Sequence, residues 1–282
     1  IIAFIALYFF AALRGYPSIN NVLLQNMALI HGKVSIDKLA NEFDKSNLNS
    51  DSDKKEINKI KFEFIKSINF KNVSFNYPGR DNALNKINLE IPKNTITGIK
   101  GDTGSGKSTL IKLIMNLLEP SSGEIFVDEK PLNSIKNGWQ KKIGYIPQNF
   151  YILDDTILEN IVFSQQKSDF DYKKISEILK FSKLDKLINS LPEGLNTIVG
   201  PSGKLLSGGQ AQRLAIARAL YQEKDILIFD EATNALDEDT ENEILKNISK
   251  LSSSKTVIIV SHSKKVLDIC NQILTIKEKQ LI

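Results

Sequence analysis

The sequence predicts an α/β fold with a parallel sheet at its core. Two short apolar runs, at residues 225–230 and 255–261, have the composition of strands that are buried on both faces. A third strand-like segment covers residues 95–100, and stretches with helical spacing of apolar residues alternate with these strands. Such alternation of strands and helices is typical of a parallel sheet that is covered by helices.

A phosphate-binding loop follows the strand at residues 95–100. Residues 101–108 read GDTGSGKS and match the pattern G-x-x-x-x-G-K-[ST]. The glycines permit a tight turn of backbone N–H groups, and the start of the next helix attracts anions. Lys107 can reach the β- and γ-phosphates of a nucleotide, and the Ser108 hydroxyl can bind Mg²⁺.

The overall composition sets few limits on function. The 282 residues carry a net charge of +4, which gives no reason to expect nucleic acid as a partner. The single cysteine, Cys270, cannot form an intrachain disulfide, which fits a reducing compartment. His31 and His262 are too far apart in sequence to form a local metal motif.

The chain begins with an apolar segment, residues 1–13, that has no charge before Arg14. About 20 apolar residues are needed to span a bilayer, so this run is too short to cross alone. It could be the core of a signal peptide, a buried helix, or the end of a transmembrane helix that starts upstream. We favour the last interpretation because of the sharp change at Arg14, and the positive-inside rule then places Lys33 and Lys38 in the cytoplasm.

We therefore expect three regions. Residues 1–45 form the end of a membrane helix and its cytoplasmic extension, with a break near Gly32. Residues 46–66 form a linker, whose polar part extends to residue 60. Residues 67–282 form the α/β domain, in which further strands are predicted at 68–77, 83–91, 123–128 and 142–147 and helices at 109–118, 156–191, 211–221 and 241–251.

Two further features suggest nucleotide chemistry. Asp230 and Glu231 end a strand of the buried type, so they lie on the sheet edge where ligands bind in α/β folds. Asp230 is placed to hold Mg²⁺, and Glu231 can accept a proton from an attacking water. Ser207, Gly208 and Gly209 precede a helix and form either a second anion site or an ordinary helix cap.

Residues 206–210 read LSGGQ, and residues 230–237 read DEATNALD. With the phosphate loop ahead of them, these two motifs resemble the ATP-binding cassette (ABC) family. The similar residues run from about 68 to 282 in the family's order. The resemblance implies the cassette fold: a parallel core, an antiparallel β subdomain and a helical subdomain.

The resemblance also implies roles for individual residues, with ATP and Mg²⁺ as ligands. The catalytic residues would be Glu231, His262, Gln148 and Lys107, and the metal would be held by Ser108, Gln148 and Asp230. The nucleotide would be bound by Tyr77, Gly101, Thr103, Gly104, Ser105, Gly106, Lys107, Ser108, Thr109, Gln148, Ser207, Gly208, Gly209, Gln210 and Asp237.

The implied partners are a second cassette, which closes head to tail around two ATP molecules, a membrane domain and the lipid bilayer. Two equivalent competent sites fit a homodimer, although the sequence does not decide between a homodimer and a heterodimer. The cassette itself would be cytoplasmic. The end of the apolar helix followed by Arg14, Pro17, Ser18 and Asn20 is similar to the last membrane helix of exporters, most of all those that flip lipid-linked oligosaccharides.

The chain departs from the family pattern in three places. Pro201 replaces the glutamate that usually precedes the signature, and Asn234 replaces a common serine, a change expected to have little effect. The sequence also stops before the usual last helix. The resemblance implies the Mg²⁺-dependent, ATP-hydrolysing cassette of a membrane exporter. One alternative is a soluble ABC ATPase that acts on nucleic acid or ribosomes, which residues 1–13 disfavour. Another is a regulatory pseudo-enzyme, which the intact acidic pair disfavours.

Overall fold

The computed structural model describes residues 1–54, 62–79, 82–163 and 170–282, and the chain forms two units, Ile1–Ile60 and Lys61–Ile282. Part of the predicted linker, residues 55–61, lies outside the described residues. The second unit starts before the predicted boundary at residue 67, because Phe62 and Phe64 are buried in its core.

The first unit contains a 53-residue helix, α1 (Ile2–Lys54), with exposed apolar side chains such as Phe9. Among the described residues, one helical segment, Ile2–Ala40, is long and apolar enough to cross a membrane. The predicted break near Gly32 was wrong, and the helix continues into the segment predicted as linker. One glycine costs a helix only about 1 kcal/mol, and residues 46–54 contain no glycine or proline that would end it.

The described part of the second unit contains both strands and helices, each numbered in chain order. Its strands are β1 (Ser67–Asn76), β2 (Asn82–Pro92), β3 (Ile96–Lys100), β4 (Ser122–Val127), β5 (Lys130–Pro131), β6 (Ile143–Ile146), β7 (Ile226–Asp230), β8 (Thr256–Val260), β9 (Gln272–Lys277) and β10 (Gln280–Leu281). Its helices are α2 (Lys107–Ile114), α3 (Lys136–Gln140), α4 (Ile157–Val162), α5 (Tyr172–Phe181), α6 (Asp185–Ser190), α7 (Gly208–Tyr221), α8 (Glu238–Leu251) and α9 (Lys264–Asp268).

These strands form two sheets. The first is antiparallel and four-stranded, in the order β2-β1-β4-β5. The second is six-stranded, in the order β10-β9-β3-β8-β7-β6, and is parallel except for the edge strand β10. The predicted fold class, with its parallel core and antiparallel subdomain, is confirmed.

The large sheet is buried on both faces, which explains its continuous apolar strands. In β7, Leu227 and Phe229 belong to a core that includes helices α4 to α8. Ile226 and Ile228, on the opposite face, belong to a second core with the antiparallel sheet and α2. The sheet edge that carries the site is therefore held between two packed layers.

The predicted helix at residues 109–118 is shorter than expected. Helix α2 begins at Lys107 and ends at Ile114. Asn116 adopts a φ of 53°, and this left-handed conformation ends helices. In the described part of the helical block predicted at 156–191, outside residues 164–169, the structure has three separate helices, α4, α5 and α6.

Candidate nucleotide site

The phosphate loop connects β3 to α2 and contains two glycines that lie against other strands. A Cβ atom on Gly101 would lie 2.3 Å from the carbonyl oxygen of Ile276 on β9. A Cβ atom on Gly106, where φ is 111°, would lie 2.7 Å from the carbonyl oxygen of Ala83 on β2. Both positions therefore exclude a side chain, and the loop is held between the two sheets.

Polar groups converge inside this loop. Lys107 is buried, and its Nζ donates to the carbonyl oxygens of Gly101 and Asp102. The hydroxyl of Ser105 is also buried and has no hydrogen-bond partner within the described part of the chain. A buried hydroxyl without a partner, next to the N-terminus of α2, suits an anion that can accept its hydrogen bond.

Tyr77 lies beside the helix that follows the loop. Its ring packs edge-on against Phe75, with ring centroids 4.9 Å apart, and its hydroxyl lies 3.4 Å from Thr109 Oγ1. The structure therefore places this aromatic side chain next to α2, and its stacking on adenine stays a prediction.

Asp230 ends β7 and is hydrogen-bonded to a residue that the sequence did not suggest. The hydroxyl of Tyr145 on β6 donates to Asp230 Oδ2 at 3.0 Å. Partial burial raises the pKa of Asp230, and the nearby charge of Glu231 raises it further. The hydrogen bond from Tyr145 and the charge of Lys107 act in the opposite direction and favour the carboxylate.

Glu231 follows with a φ of 51°, in the left-handed region, which is uncommon for a residue with a side chain. Gln148 Nε2 and Asn234 Nδ2 donate to its Oε2, at 2.8 and 3.1 Å. His262 Nε2 lies 3.7 Å from the other oxygen, Oε1. The asparagine at position 234 is expected from the sequence to have little effect, yet its amide donates a hydrogen bond to the Glu231 carboxylate.

The signature residues form the N-terminus of α7. Ser207 accepts a hydrogen bond from the Gln210 backbone at 3.2 Å, and the Gln210 side chain accepts one from the Ser207 backbone at 2.8 Å. This reciprocal pair is a capping box. The described hydrogen bonds of residues 207–210 stay within α7, and none of them reaches the phosphate loop.

Gln212 links α7 to the loop after Glu231 and was missed by sequence reasoning. It is buried, and its Oε1 accepts a hydrogen bond from the Ala235 N–H at 3.0 Å. Its Nε2 lies 3.5 Å from the carbonyl oxygen of Glu231. A glutamine two residues beyond the LSGGQ motif carries no signal by itself that would distinguish it from an exposed one.

Asp237 caps helix α8 by accepting a hydrogen bond from the Thr240 N–H at 3.0 Å, and this bond lowers the pKa of Asp237. The structure thus joins one group of predicted residues by direct contacts: Glu231, Gln148 and His262, with Asp230 alongside. Apart from Tyr77, which follows β1, the remaining predicted residues lie either in the phosphate loop and the start of α2 (Gly101, Thr103, Gly104, Ser105, Gly106, Lys107, Ser108 and Thr109) or at the starts of α7 and α8 (Ser207, Gly208, Gly209, Gln210 and Asp237).

The residues present fit a nucleotide with a bound Mg²⁺. The described part of the chain contains no cluster of three or more His, Cys, Asp or Glu side chains that could hold a metal by itself. Oxygen donors are nevertheless available from Ser108, Gln148 and Asp230, and Mg²⁺ prefers a few protein oxygens supplemented by substrate phosphates. The buried hydroxyl of Ser105 and the glycine-lined loop provide the matching phosphate cradle.

Comparison with known proteins identifies the family. A protein-family model described as "ABC transporter" matches residues 84–234. The chain is 41% identical over 229 residues to the alpha-hemolysin translocation ATP-binding protein HlyB of Escherichia coli O157:H7, an alignment that covers 80% of this chain and 32% of that protein. It is 34% identical over 241 residues to the ATP-dependent lipid A-core flippase of Escherichia coli K12, covering 83% of this chain and 40% of the flippase.

The fold is similar to a solved structure as well. A bacterial Atm1-family ABC exporter with ATP bound superposes with a TM-score of 0.74 at 30% identity, covering 78% of this chain and 39% of the exporter. The chain therefore spans less than half the length of these relatives. Together, the matched family model, the cassette fold and the geometry of the phosphate loop show that this chain belongs to the ABC transporter family.

Proposed function

We propose that this chain binds and hydrolyses ATP and that the hydrolysis drives export across a membrane. The observation that carries the proposal is the setting of Glu231. Its carboxylate lies at the end of β7, next to Asp230, and Gln148 and Asn234 both bind the same oxygen, Oε2. Oε1 is left facing His262 and is the oxygen we expect to accept a proton from the attacking water.

The other residues of the site bind and orient the substrate. Lys107 and the N–H groups at the start of α2 would hold the β- and γ-phosphates, and Tyr77 would pack against the adenine. Ser108, Asp230 and Gln148 would hold Mg²⁺, which would supply charge neutralisation at the β- and γ-phosphate oxygens. His262 Nε2 lies 3.7 Å from the Glu231 carboxylate, and we expect it to contact the γ-phosphate.

We also propose that two copies of this chain, or of its longer form, complete each site. The described hydrogen bonds of the signature residues stay at the start of α7, and none of them joins these residues to the phosphate loop of the same chain. A head-to-tail dimer would bring Ser207 and Gly209 to the nucleotide held by the partner cassette. Static light scattering of Glu231→Gln with ATP is expected to show the dimer, and a monomer under these conditions would contradict it.

The membrane part of the proposal rests on α1 and on the relatives. The segment Ile2–Ala40 is a candidate span, and the matched relatives are named as translocation proteins or flippases. We propose that the cassette lies on the cytoplasmic side. Cassettes of similar identity belong to relatives named for a hemolysin and for lipid A-core, so the cassette residues do not specify a cargo.

Glu231→Gln tests the catalytic assignment. The amide keeps the size of the side chain but cannot accept a proton, so we expect ATP binding to remain and turnover to fall by at least about 100-fold. Phosphate release and ATP affinity should be measured on the full chain in detergent. The matched control is Glu193→Gln, an exposed glutamate on the helical block, which should hydrolyse ATP at the wild-type rate. Hydrolysis by Glu231→Gln at the control rate would remove Glu231 from the mechanism.

A further inference from the structure

Tyr145 and Asp230 lie on one face of two neighbouring strands. In the parallel register of β6 and β7, Tyr145 is opposite Ile228, and Asp230 follows Ile228 by two residues. Since side chains alternate between the faces of a strand, Tyr145 and Asp230 project to the same side of the sheet. The 3.0 Å hydrogen bond from the Tyr145 hydroxyl to Asp230 Oδ2 follows directly from this register.

This hydrogen bond occupies an acceptor position on Oδ2 of the Asp230 carboxylate. A carboxylate has about four acceptor positions, and a donor on Oδ2 leaves Oδ1 open. A carboxylate at a strand end is free to rotate unless something holds it, whereas Tyr145 belongs to β6, whose four residues all pair with β7. The hydroxyl therefore sets the plane in which Oδ1 is presented.

We propose that Tyr145 is a positioning residue that orients the Asp230 carboxylate for Mg²⁺ in the nucleotide site. The inference rests on the proposed function, because it requires a metal that accompanies ATP. Tyr145 acts through Asp230 and does not touch the nucleotide itself. The arrangement parallels that of Glu231: β6 and the residues just after it supply one donor to each carboxylate, Tyr145 to Asp230 and Gln148 to Glu231.

The test is the affinity for a divalent metal in the presence of ATP. Mn²⁺ replaces Mg²⁺ and its binding to the full chain in detergent is followed by electron paramagnetic resonance, while ATP affinity is measured separately without metal. Tyr145→Phe removes only the hydroxyl and retains the ring, so the contacts of the ring are kept. We expect Mn²⁺ affinity to fall about three- to tenfold, which matches the net contribution of one ordinary hydrogen bond.

Two comparisons show where the hydroxyl acts. Tyr151→Phe removes a hydroxyl from an exposed tyrosine six residues further along the chain and should leave Mn²⁺ affinity unchanged. In an Asp230→Asn background, Tyr145→Phe should have no further effect, because the group through which it acts is altered. ATP affinity without metal should be the same in the wild type and in Tyr145→Phe.

Several results would overturn the inference: unchanged Mn²⁺ affinity in Tyr145→Phe, an equal loss in the Asp230→Asn background, or an equal loss of metal-free ATP affinity. Different results would contradict the proposed function. A wild-type chain that binds Mn²⁺ with ATP but releases no phosphate would refute hydrolysis, while the comparison of Mn²⁺ affinities would still decide the role of Tyr145. A wild-type chain that binds no Mn²⁺ with ATP would refute both.

Discussion

Asp128 anchors residues 65–67, near the start of the second unit, and two substitutions of Asp128 should lower the free energy of unfolding to different extents. The carboxylate accepts three backbone N–H groups: Ile65 at 2.5 Å on Oδ2, and Lys66 at 2.6 Å and Ser67 at 3.0 Å on Oδ1. Asp128 follows β4 and has a φ of 50°, a left-handed conformation that Asp and Asn tolerate better than other residues with side chains. The anchor thus fixes the start of β1 against the end of β4.

Asp128→Ala removes all three acceptors. A buried hydrogen bond to a charged group contributes about 1.5–3 kcal/mol, but the bonds to Ile65 and Lys66 are exposed, so water can replace much of the carboxylate. We expect the lost bonds to cost about 2 kcal/mol in total, and alanine in a left-handed conformation to add about 1 kcal/mol. Asp128→Asn keeps one acceptor oxygen and the tolerated backbone, so its cost should be about 1 kcal/mol.

The sequence contains one tryptophan, Trp139, and it reports on this region. It is fully buried and packs edge-on against Phe62 and Phe64, which lie in the same entering segment. Urea unfolding followed by tryptophan fluorescence should therefore give free energies of unfolding in the order wild type, Asp128→Asn, Asp128→Ala. The control Asp154→Ala changes an exposed aspartate and should match the wild type. If Asp128→Ala were as stable as this control, the three hydrogen bonds would contribute nothing.

Two further predictions concern α7 and α1. Ser207→Ala removes the side-chain acceptor of the capping box and should lower the free energy of unfolding by about 1 kcal/mol, whereas Ser207→Thr keeps the cap; equal stability of the two variants would contradict the capping role. Phe9→Lys places a charge in the candidate span, at a cost of about 3 kcal/mol near the centre of a bilayer, and should reduce the carbonate-resistant membrane fraction. Phe9→Leu should not, and retention of Phe9→Lys at the wild-type level would argue against a span through this residue.

The parts of the fold that could be predicted are those with strong local signals. Strands β7 and β8 are within a residue of their predicted bounds, because an apolar run between polar residues is typical of a strand buried on both faces. β9 was not predicted, since it mixes apolar and polar residues and is mostly half-exposed. The pairing of β1 with β4 joins segments about 55 residues apart, and local sequence carries no signal for such long-range contacts.

In the candidate site as well, the sequence predicts the residues of short motifs but not the residues whose contacts depend on the fold. The glycines, Lys107 and the acidic pair belong to short motifs in which spacing alone indicates chemistry. Tyr145 and Asn234 lack such a signal, because their contacts depend on the register of β6 against β7 and on the path of the loop after Glu231. A shift of that register by one residue would turn Tyr145 to the other face of the sheet and away from Asp230.

Gln212 shows how these separate motifs become one site. The N-terminus of α7 carries the signature, and the left-handed turn at Glu231 carries the proposed base. Gln212 is buried between them and accepts a hydrogen bond from the Ala235 N–H, so a movement of α7 away from this loop would break the bond, at a cost of about 0.5–1.5 kcal/mol. The start of α7 and the loop of Glu231 are therefore expected to move together. Any contact that draws the signature toward a partner's nucleotide would then also act on the position of Glu231 in its own site.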